Sequence, residues 1–239
     1  MPRTLVALQP MFLPWVGVFE QVRLADVFLH YDDVQVSQGS SFVSRVQVQS
    51  ARGVSWLTVP VDRRRSGKLI TEVVLSRAEE WRTRHLRTIR HNYARRPYFD
   101  LMFELVENIY SHSTDRLADF NISAIEQIAR WLGLAPQFVR SSTTGVAGAG
   151  TERLVALCKA TKCNVYVTGH GALNYLKHEL FEEQGISARY MDYRMVPYSQ
   201  GGVEFNPFVS ILDAIANCGE RTRDLLCSEA VCWREFNVA

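Results

Sequence analysis

Long apolar runs are missing from this sequence, and that absence excludes several classes of protein. No segment approaches the roughly 20 consecutive apolar residues that a membrane-spanning helix needs. Residues 1–10 lack the apolar core of a signal peptide and lead directly into a strand pattern, so a cytosolic protein is expected. Charge of one sign is also missing. The formal net charge is +2 over 239 residues, too small to imply nucleic-acid or membrane-surface binding. The five cysteines include no C-x-x-C pair, which indicates neither a zinc cluster nor a disulfide framework. Buried free thiols are the simpler reading, and only Cys218, at a helix end, is weighed as a nucleophile. The common catalytic signatures are absent as well. There is no Gly-Lys-Ser/Thr phosphate loop, no G-x-G-x-x-G, no G-x-S-x-G elbow, no H-E-x-x-H and no Ser-His-Asp order. No metal is indicated and no cofactor is identified.

What is present is organised around residues 9–35. A short apolar run at residues 4–8 stops at Gln9-Pro10. An aromatic, proline-rich turn with Phe12, Pro14 and Trp15 follows, then Gly17 and a brief helical pattern. A second apolar run, residues 27–31, ends on Asp32-Asp33. This predicts strand, tight turn, helix, strand. In such a unit both strand ends lie on the ligand-binding edge of a parallel sheet. Gln9, Trp15, Asp32 and Asp33 are therefore expected to share one crevice.

The remaining pattern fills in a fold. Alternation over residues 42–49 and 54–61 predicts an antiparallel hairpin. A basic loop follows, with Arg63, Arg64 and Arg65, and residues 70–75 suggest one more short strand. Residues 78–95, 98–110 and a segment capped by Ser113 or Thr114 and running to Trp131 carry helical periodicity. The α/β rhythm then resumes. Strands are expected at 137–140, 164–168 and 186–191. One helix is expected to start at a Thr151 cap, one to run from the Gly169-His170-Gly171 turn to about residue 183, and one to span 208–217 and stop at Gly219. The expected class is α/β, a mainly parallel, Rossmann-like sheet with an antiparallel hairpin. The whole chain, 1–239, would form a single domain with a helical subdomain at about 77–134.

Unusual polar residues fall at strand ends: Gln9, Asp32, Ser141, His170 and Asp192. Gly169-His170-Gly171 would open a helix whose free amides favour an anion, with His170 as donor or general acid/base. Adjacent residues in extended chain point oppositely, so one of Asp32 and Asp33 is expected to face the crevice. His85 sits on a partly apolar helical stripe, where a core histidine is the common outcome.

Taken in order, these motifs resemble the WbqC-like family of bacterial proteins nearly end to end. Its opening Gln-Pro, aromatic and Pro-Trp-x-Gly stand here from Gln9-Pro10 through Pro14-Trp15-Val16-Gly17, and its Asp-Asp-x-Gln as Asp32-Asp33-Val34-Gln35. Arg45, the Trp56-Leu57 and Pro60-Val61 pairs, His85, Tyr93, Ser141-Ser142, Tyr166 to Gly169 and Tyr175-Leu176 follow. Tyr198-x-Gln200, Phe205-x-Pro207 and Ser210-Ile-x-Asp213 complete the set. Thr168 replaces the usual serine, Ser44 a common asparagine, and His170 a frequent proline.

The resemblance implies bacterial surface-polysaccharide (O-antigen) or natural-product biosynthesis, with transfer of an acyl or aminoacyl group to an amine or sugar. On that reading Asp32, His85 and His170 are the catalytic candidates. Gln9, Trp15, Asp33, Gln35, Arg45, Tyr93, Ser141, Gly169, Tyr198 and Gln200 bind a small-molecule substrate. A carrier-protein thioester is one donor considered, with the arginines at 63–65 and 82–96 facing an acidic carrier. A non-catalytic binding protein and an ATP-dependent adenylyl transferase are the alternatives.

Overall fold

A computed structural model describes residues 1–36, 42–50, 53–61, 67–76, 80–202 and 204–236. The central sheet has six strands: β1 (Thr4–Leu8), β2 (Val27–His30), β5 (Gln137–Arg140), β6 (Val165–Thr168), β7 (Ser187–Asp192) and β8 (Glu229–Cys232). Their order is β5-β2-β1-β6-β7-β8, with every neighbouring pair parallel except β7-β8. The chain moves outward from β1 through β2 to β5, then crosses back to place β6 and β7 on the other side. The direction of winding thus reverses between β1 and β6, where open α/β sheets leave a crevice beyond the strand ends.

Strand periodicity sorts side chains between two cores. Val6 and Phe28 join one cluster with Phe19, Phe120, Ile125 and Ile215. Their neighbours Leu5 and Leu29 join the other, with Tyr166, Leu157 and Phe181. A parallel sheet covered on both faces needs this alternation of apolar side chains. The first face is covered by α1 (Val16–Leu24) and α4 (Leu117–Trp131), the second by α5 (Gly150–Ala160) and α6 (His178–Glu182).

Between β2 and β5 the chain inserts the hairpin β3 (Arg45–Ser50)–β4 (Gly53–Thr58) and the helices α2 (Glu80–Tyr93) and α3 (Phe99–Ser111), ahead of α4. In α2 the residues at fourfold spacing, Trp81, His85, Ile89 and Tyr93, are buried. In α4, Leu117, Phe120, Ala124 and Ile128 do the same. Both stripes belong to the cluster that contains Val6 and Phe28, so the inserted helices and the sheet share one core. No helix among the described residues is long and apolar enough to cross a membrane.

Four local expectations change. Residues 70–75 form no strand; Ile70–Glu72 is one 3-10 turn, and Leu75 and Val74 make only isolated bridges to Val61 and Arg116. The residues after Gly169 do not start a long helix. His170–Ala172 is a single 3-10 turn, and α6 is five residues long. Thr151 is inside α5 rather than its cap, and its hydroxyl accepts from the Lys177 N–H at 3.1 Å. The helix expected over 208–217 is α7 (Ile211–Cys218), capped by the Ser210 side chain. The arginines at 63–65 lie outside the described residues.

The turn leaving β1 explains the Pro14-Trp15-x-Gly17 pattern. The Trp15 indole folds back over the first turn of α1, and a Cβ on Gly17 would lie 2.3 Å from its Cη2 atom. The ring is held there by edge contact with Tyr193 at 5.0 Å and by Phe208 at 5.6 Å. In an unobstructed helix Gly→Ala stabilises by about 1 kcal/mol. Here overpacking reverses the sign, and Gly17→Ala is expected to destabilise by about 1–3 kcal/mol in thermal unfolding. Combining it with Trp15→Ala should recover part of the loss, a coupling readable in a double-mutant cycle.

Candidate functional site

Two polar clusters and one crevice lie around the carboxyl edge of the sheet. The first cluster joins the ends of β2 and β5. Asp32, fully buried, accepts from the Ser142 N–H at 3.0 Å and the Ser142 hydroxyl at 2.9 Å. Its own N–H donates to Ser141 Oγ at 3.1 Å. Ser141 has one hydroxyl proton and two carboxylates within reach, Asp32 at 3.1 Å and Asp33 at 2.5 Å. The shorter contact takes the proton. Asp32 is thereby spent on tying two strands together.

Asp33 is placed differently. With Ser141, Ser142, Gly145, Gly148 and Arg153 it lines a cavity of about 370 Å³ at the start of α5. Arg153, 5% exposed, donates to Asp33 Oδ2 at 2.5 Å and to the Val146 carbonyl at 3.1 Å, and its guanidinium lies 4.9 Å from the Tyr31 ring. Burial pushes the Asp33 carboxyl up, but the Arg153 and Ser141 hydrogen bonds and the Arg153 charge outweigh it and hold Asp33 below the usual range. Asp33 is the ionised carboxylate that faces open space.

Just past the ends of the neighbouring strands β1 and β6, where the winding reverses, stand Gln9, half-buried, and the Gly169-His170-Gly171 turn. Behind Gly169 stands Gln21, buried, with Oε1 unpartnered. His170 is exposed. Because its turn is one 3-10 turn, the helix N-terminus expected for an anion is lacking. Burial, with Tyr31 adding to it, raises the Tyr175 phenol.

The second cluster forms where α2, α7 and the segment after Tyr193 meet. Tyr198 donates to Asp213 Oδ2 at 2.9 Å, and Gln200 Nε2 donates to Tyr198 at 3.2 Å and to the Asn206 carbonyl at 3.0 Å. The Tyr93 phenol accepts from the Gln49 N–H at 3.0 Å, and burial first, with the Asp213 charge after it, raises that phenol. Burial pushes the Asp213 carboxyl up, against Tyr198 and the nearby Arg96 charge.

The sequence-selected residues therefore divide. Asp32, Asp33 and Ser141 come together, as do Tyr93, Tyr198 and Gln200, while Gln9, Gly169 and His170 line the crevice. Trp15 packs on Tyr193 and Phe208. Gln35 is exposed and bridges Leu69. Arg45 stacks 4.1 Å over the Trp56 ring. His85 is set apart in the core, 5% exposed, between Phe12, Trp81 and Tyr110. Its Nε2 is 3.0 Å from the Thr58 carbonyl, which only accepts, so Nε2 carries the proton and Nδ1 accepts from the Tyr110 hydroxyl at 3.0 Å. With both nitrogens engaged, this geometry gives His85 a packing role in place of a proton shuttle. Cys218 is half-buried and its thiol is raised by burial, which disfavours a nucleophile. Arg153 and Gln49 were not singled out from the sequence as site residues, and Asp213 stood there only as part of the Ser210-Ile-x-Asp213 motif. Among the described residues no three His, Cys, Asp or Glu side chains converge as a metal site requires.

The chain belongs to the WbqC-like protein family, whose sequence profile matches residues 9–225. It is similar to Rv1507c, an uncharacterized protein of Mycobacterium tuberculosis, with 29% identity over 221 residues, covering 91% of this chain and 95% of that one. No solved structure matches it.

Two stability measurements follow from the geometry. Burial first, and the Arg84 charge with it, lower the His85 imidazole to about 4, although the Thr58 hydrogen bond opposes them. Between the unfolded value near 6.5 and about 4 the unfolded chain binds the extra proton, so stability falls as the pH is lowered across that window. Urea unfolding should lose about 3 kcal/mol between pH 6.5 and 4, and a His85→Phe variant should lose that slope. Asp32→Ala strands the Ser142 donors and should cost about 2–4 kcal/mol of unfolding free energy.

Proposed function

We propose that this protein is a cytosolic group-transfer enzyme, moving an acyl or aminoacyl group to an amine or sugar hydroxyl in bacterial surface-polysaccharide or natural-product biosynthesis. The observation that carries this reading is Asp33, an ionised carboxylate locked by a buried guanidinium and facing a cavity at the carboxyl edge of the sheet. Such a carboxylate is a weak base but a strong anchor. It orients the N–H or O–H of an acceptor and stabilises the positive charge that grows on the attacking atom. At the neighbouring strand ends, half-buried Gln9 supplies hydrogen bonds, and exposed His170 takes the proton lost by the attacking amine or hydroxyl and returns it to the departing thiolate. Asp32 holds the strand ends that position Asp33. The catalytic place expected for Asp32 thus falls to Asp33, as an anchor and not as a base.

A thioester on a carrier protein suits the donor side. Arg84, Arg87 and Arg90 project from the exposed face of α2, and Arg84 and Arg87 line a cavity of about 540 Å³ with Glu80 and Thr83. A cationic helix face complements an acidic partner helix and raises the encounter rate at low salt.

Mass spectrometry of the purified protein with acyl and aminoacyl thioesters and amino-sugar acceptors tests the reading, and a transferred acyl group is the expected product. Asp33→Asn leaves an amide oxygen for Arg153 but removes its counter-ion, so it should cost about 2 kcal/mol in unfolding and, in the folded protein, lower kcat/KM about a hundredfold. Because Asp33 is held below the usual carboxylate range, its titration should not limit the rate anywhere above pH 5. A ligand that stabilises the protein yet is returned unchanged after long incubation would replace transfer by a holding role. Pyrophosphate released from ATP would replace it by adenylyl transfer.

A further inference from the structure

Two oxygen atoms in the Tyr93–Tyr198–Asp213 cluster have no donor. Asp213 Oδ1 and Gln49 Oε1 are both without a hydrogen-bond partner, on residues 0% and 3% exposed. A buried acceptor left unpaired is costly, and native structures seldom keep two in one cluster without something to fill them. Gln49 links the cluster to the outside. Its N–H donates to the Tyr93 phenol, and the same residue lines a groove of about 400 Å³ between β4 and the segment 204–208. The walls are apolar, chiefly Val54, Phe205 and Phe208. Phe208 is 55% exposed and Val54 42%. The charge in the groove is the Glu204 carboxylate, and no cationic residue lines it among the described residues. The Phe205 ring meets Tyr198 edge-on at 5.4 Å, which carries the apolar wall to the phenol that holds Asp213.

The two orphaned buried atoms are oxygen acceptors, the charge at the lip is negative, and aromatic faces flank the space. A protonated amine satisfies all three. Its N–H groups donate to the carbonyl oxygen, the carboxylates attract it, and aromatic rings favour a cation over their faces. An anion would meet the like charge of Glu204. Arg96 does not compete within the groove, because its guanidinium stands against Gly201, a residue outside the groove lining.

We propose that the groove between β4 and residues 204–208 binds a primary ammonium group carried on a short apolar body, with Gln49 Oε1 as its hydrogen-bond acceptor and Glu204 as its charge partner. This site shares no lining residue with the Asp33 cavity, and it stands whether or not transfer occurs there.

Titration of the full chain with n-butylammonium, n-butanol and butanoate, followed by calorimetry and by NMR contacts to the Phe208 ring, tests the proposal. The ammonium should bind with contacts to Phe208, the alcohol at least about tenfold more weakly, and the carboxylate not detectably. Gln49→Met should weaken the ammonium about tenfold and Glu204→Gln about threefold. Should Gln49→Met fail to fold, Glu204→Gln and Phe208→Ala, both at exposed positions, decide the matter, since each must weaken binding. Equal affinity for alcohol and ammonium, no binding by any probe, or ammonium affinity unchanged in the decisive variants would overturn the site. Asp33→Asn should retain ammonium binding, so loss of transfer and loss of this groove read out separately.

Discussion

A buried turn cannot satisfy its own backbone groups, and the turn that leaves β1 is buried. Pro10, Phe12, Leu13 and Pro14 are all inside the protein, and Leu13 sits at φ 40°. The partners come from three distant parts of the chain. Asn121 of α4 donates from Nδ2 to the Pro10 carbonyl at 2.8 Å and to that of Val43 at 2.7 Å. Ser210, the α7 cap, donates to the Leu13 carbonyl at 2.7 Å, and the Ile211 N–H donates to Pro14 at 2.9 Å. The Phe12 N–H reaches the Phe42 carbonyl at 3.0 Å. One irregular turn thus fixes the hairpin, α4 and α7 relative to the sheet, and every element around the site inherits its position from that arrangement.

The same logic separates two adjacent carboxylates. Extended chain sends neighbouring side chains in opposite directions. Asp32 therefore points into the seam between β2 and β5, where its lone pairs must be matched by serine donors. Asp33 points outward, where a guanidinium keeps it charged and a cavity keeps it reachable. A buried carboxylate with saturated partners is a fastener. One with a single cation and open space retains lone pairs for a ligand. The pairing of Arg153 with Asp33 is worth more as positioning than as stability, because burying both ions costs much of what their attraction returns.

How much of this was legible follows from what periodicity records. Apolar spacing marked all five parallel strands, the hairpin and the three inserted helices, because each buries a stripe or a face whose period is written in one dimension. It misplaced residues 70–75 and the start after Gly169, where short apolar stretches belong to 3-10 turns held by tertiary contacts. Strand-end position indicated Gln9, Asp32, Ser141 and His170, since topology alone gathers such residues. It could not rank Asp33 above Asp32, which depends on where serines 141 and 142 fall in space. Arg153 sits inside an ordinary amphipathic helix, and its burial follows from the loop that folds over it. Gln49 was hidden in the same way, since it lies on the strand face of Arg45 and Gln47, opposite the core residues Val46 and Val48, yet is buried, and Asp213 was visible only as a motif residue with no role.

The family profile begins at Gln9 and ends at residue 225, so it spans both clusters and stops short of β8. Within it, Trp15 and Gly17 fit each other, Asn121 and Ser210 satisfy a turn, Asp32 seals a seam, and His85 fills a core with its tautomer fixed. The groups these residues use are turned inward on the scaffold, and even the one unpartnered oxygen among them, Asn121 Oδ1, is sealed in the core. Gln9, Asp33, His170, Gln49 and Asp213 keep hydrogen-bonding capacity, and all but Asp213 border a crevice, cavity or groove. Chemistry needs groups whose valences folding has not consumed. That criterion, applied residue by residue, separates the part of the motif that builds the scaffold from the part that meets substrate.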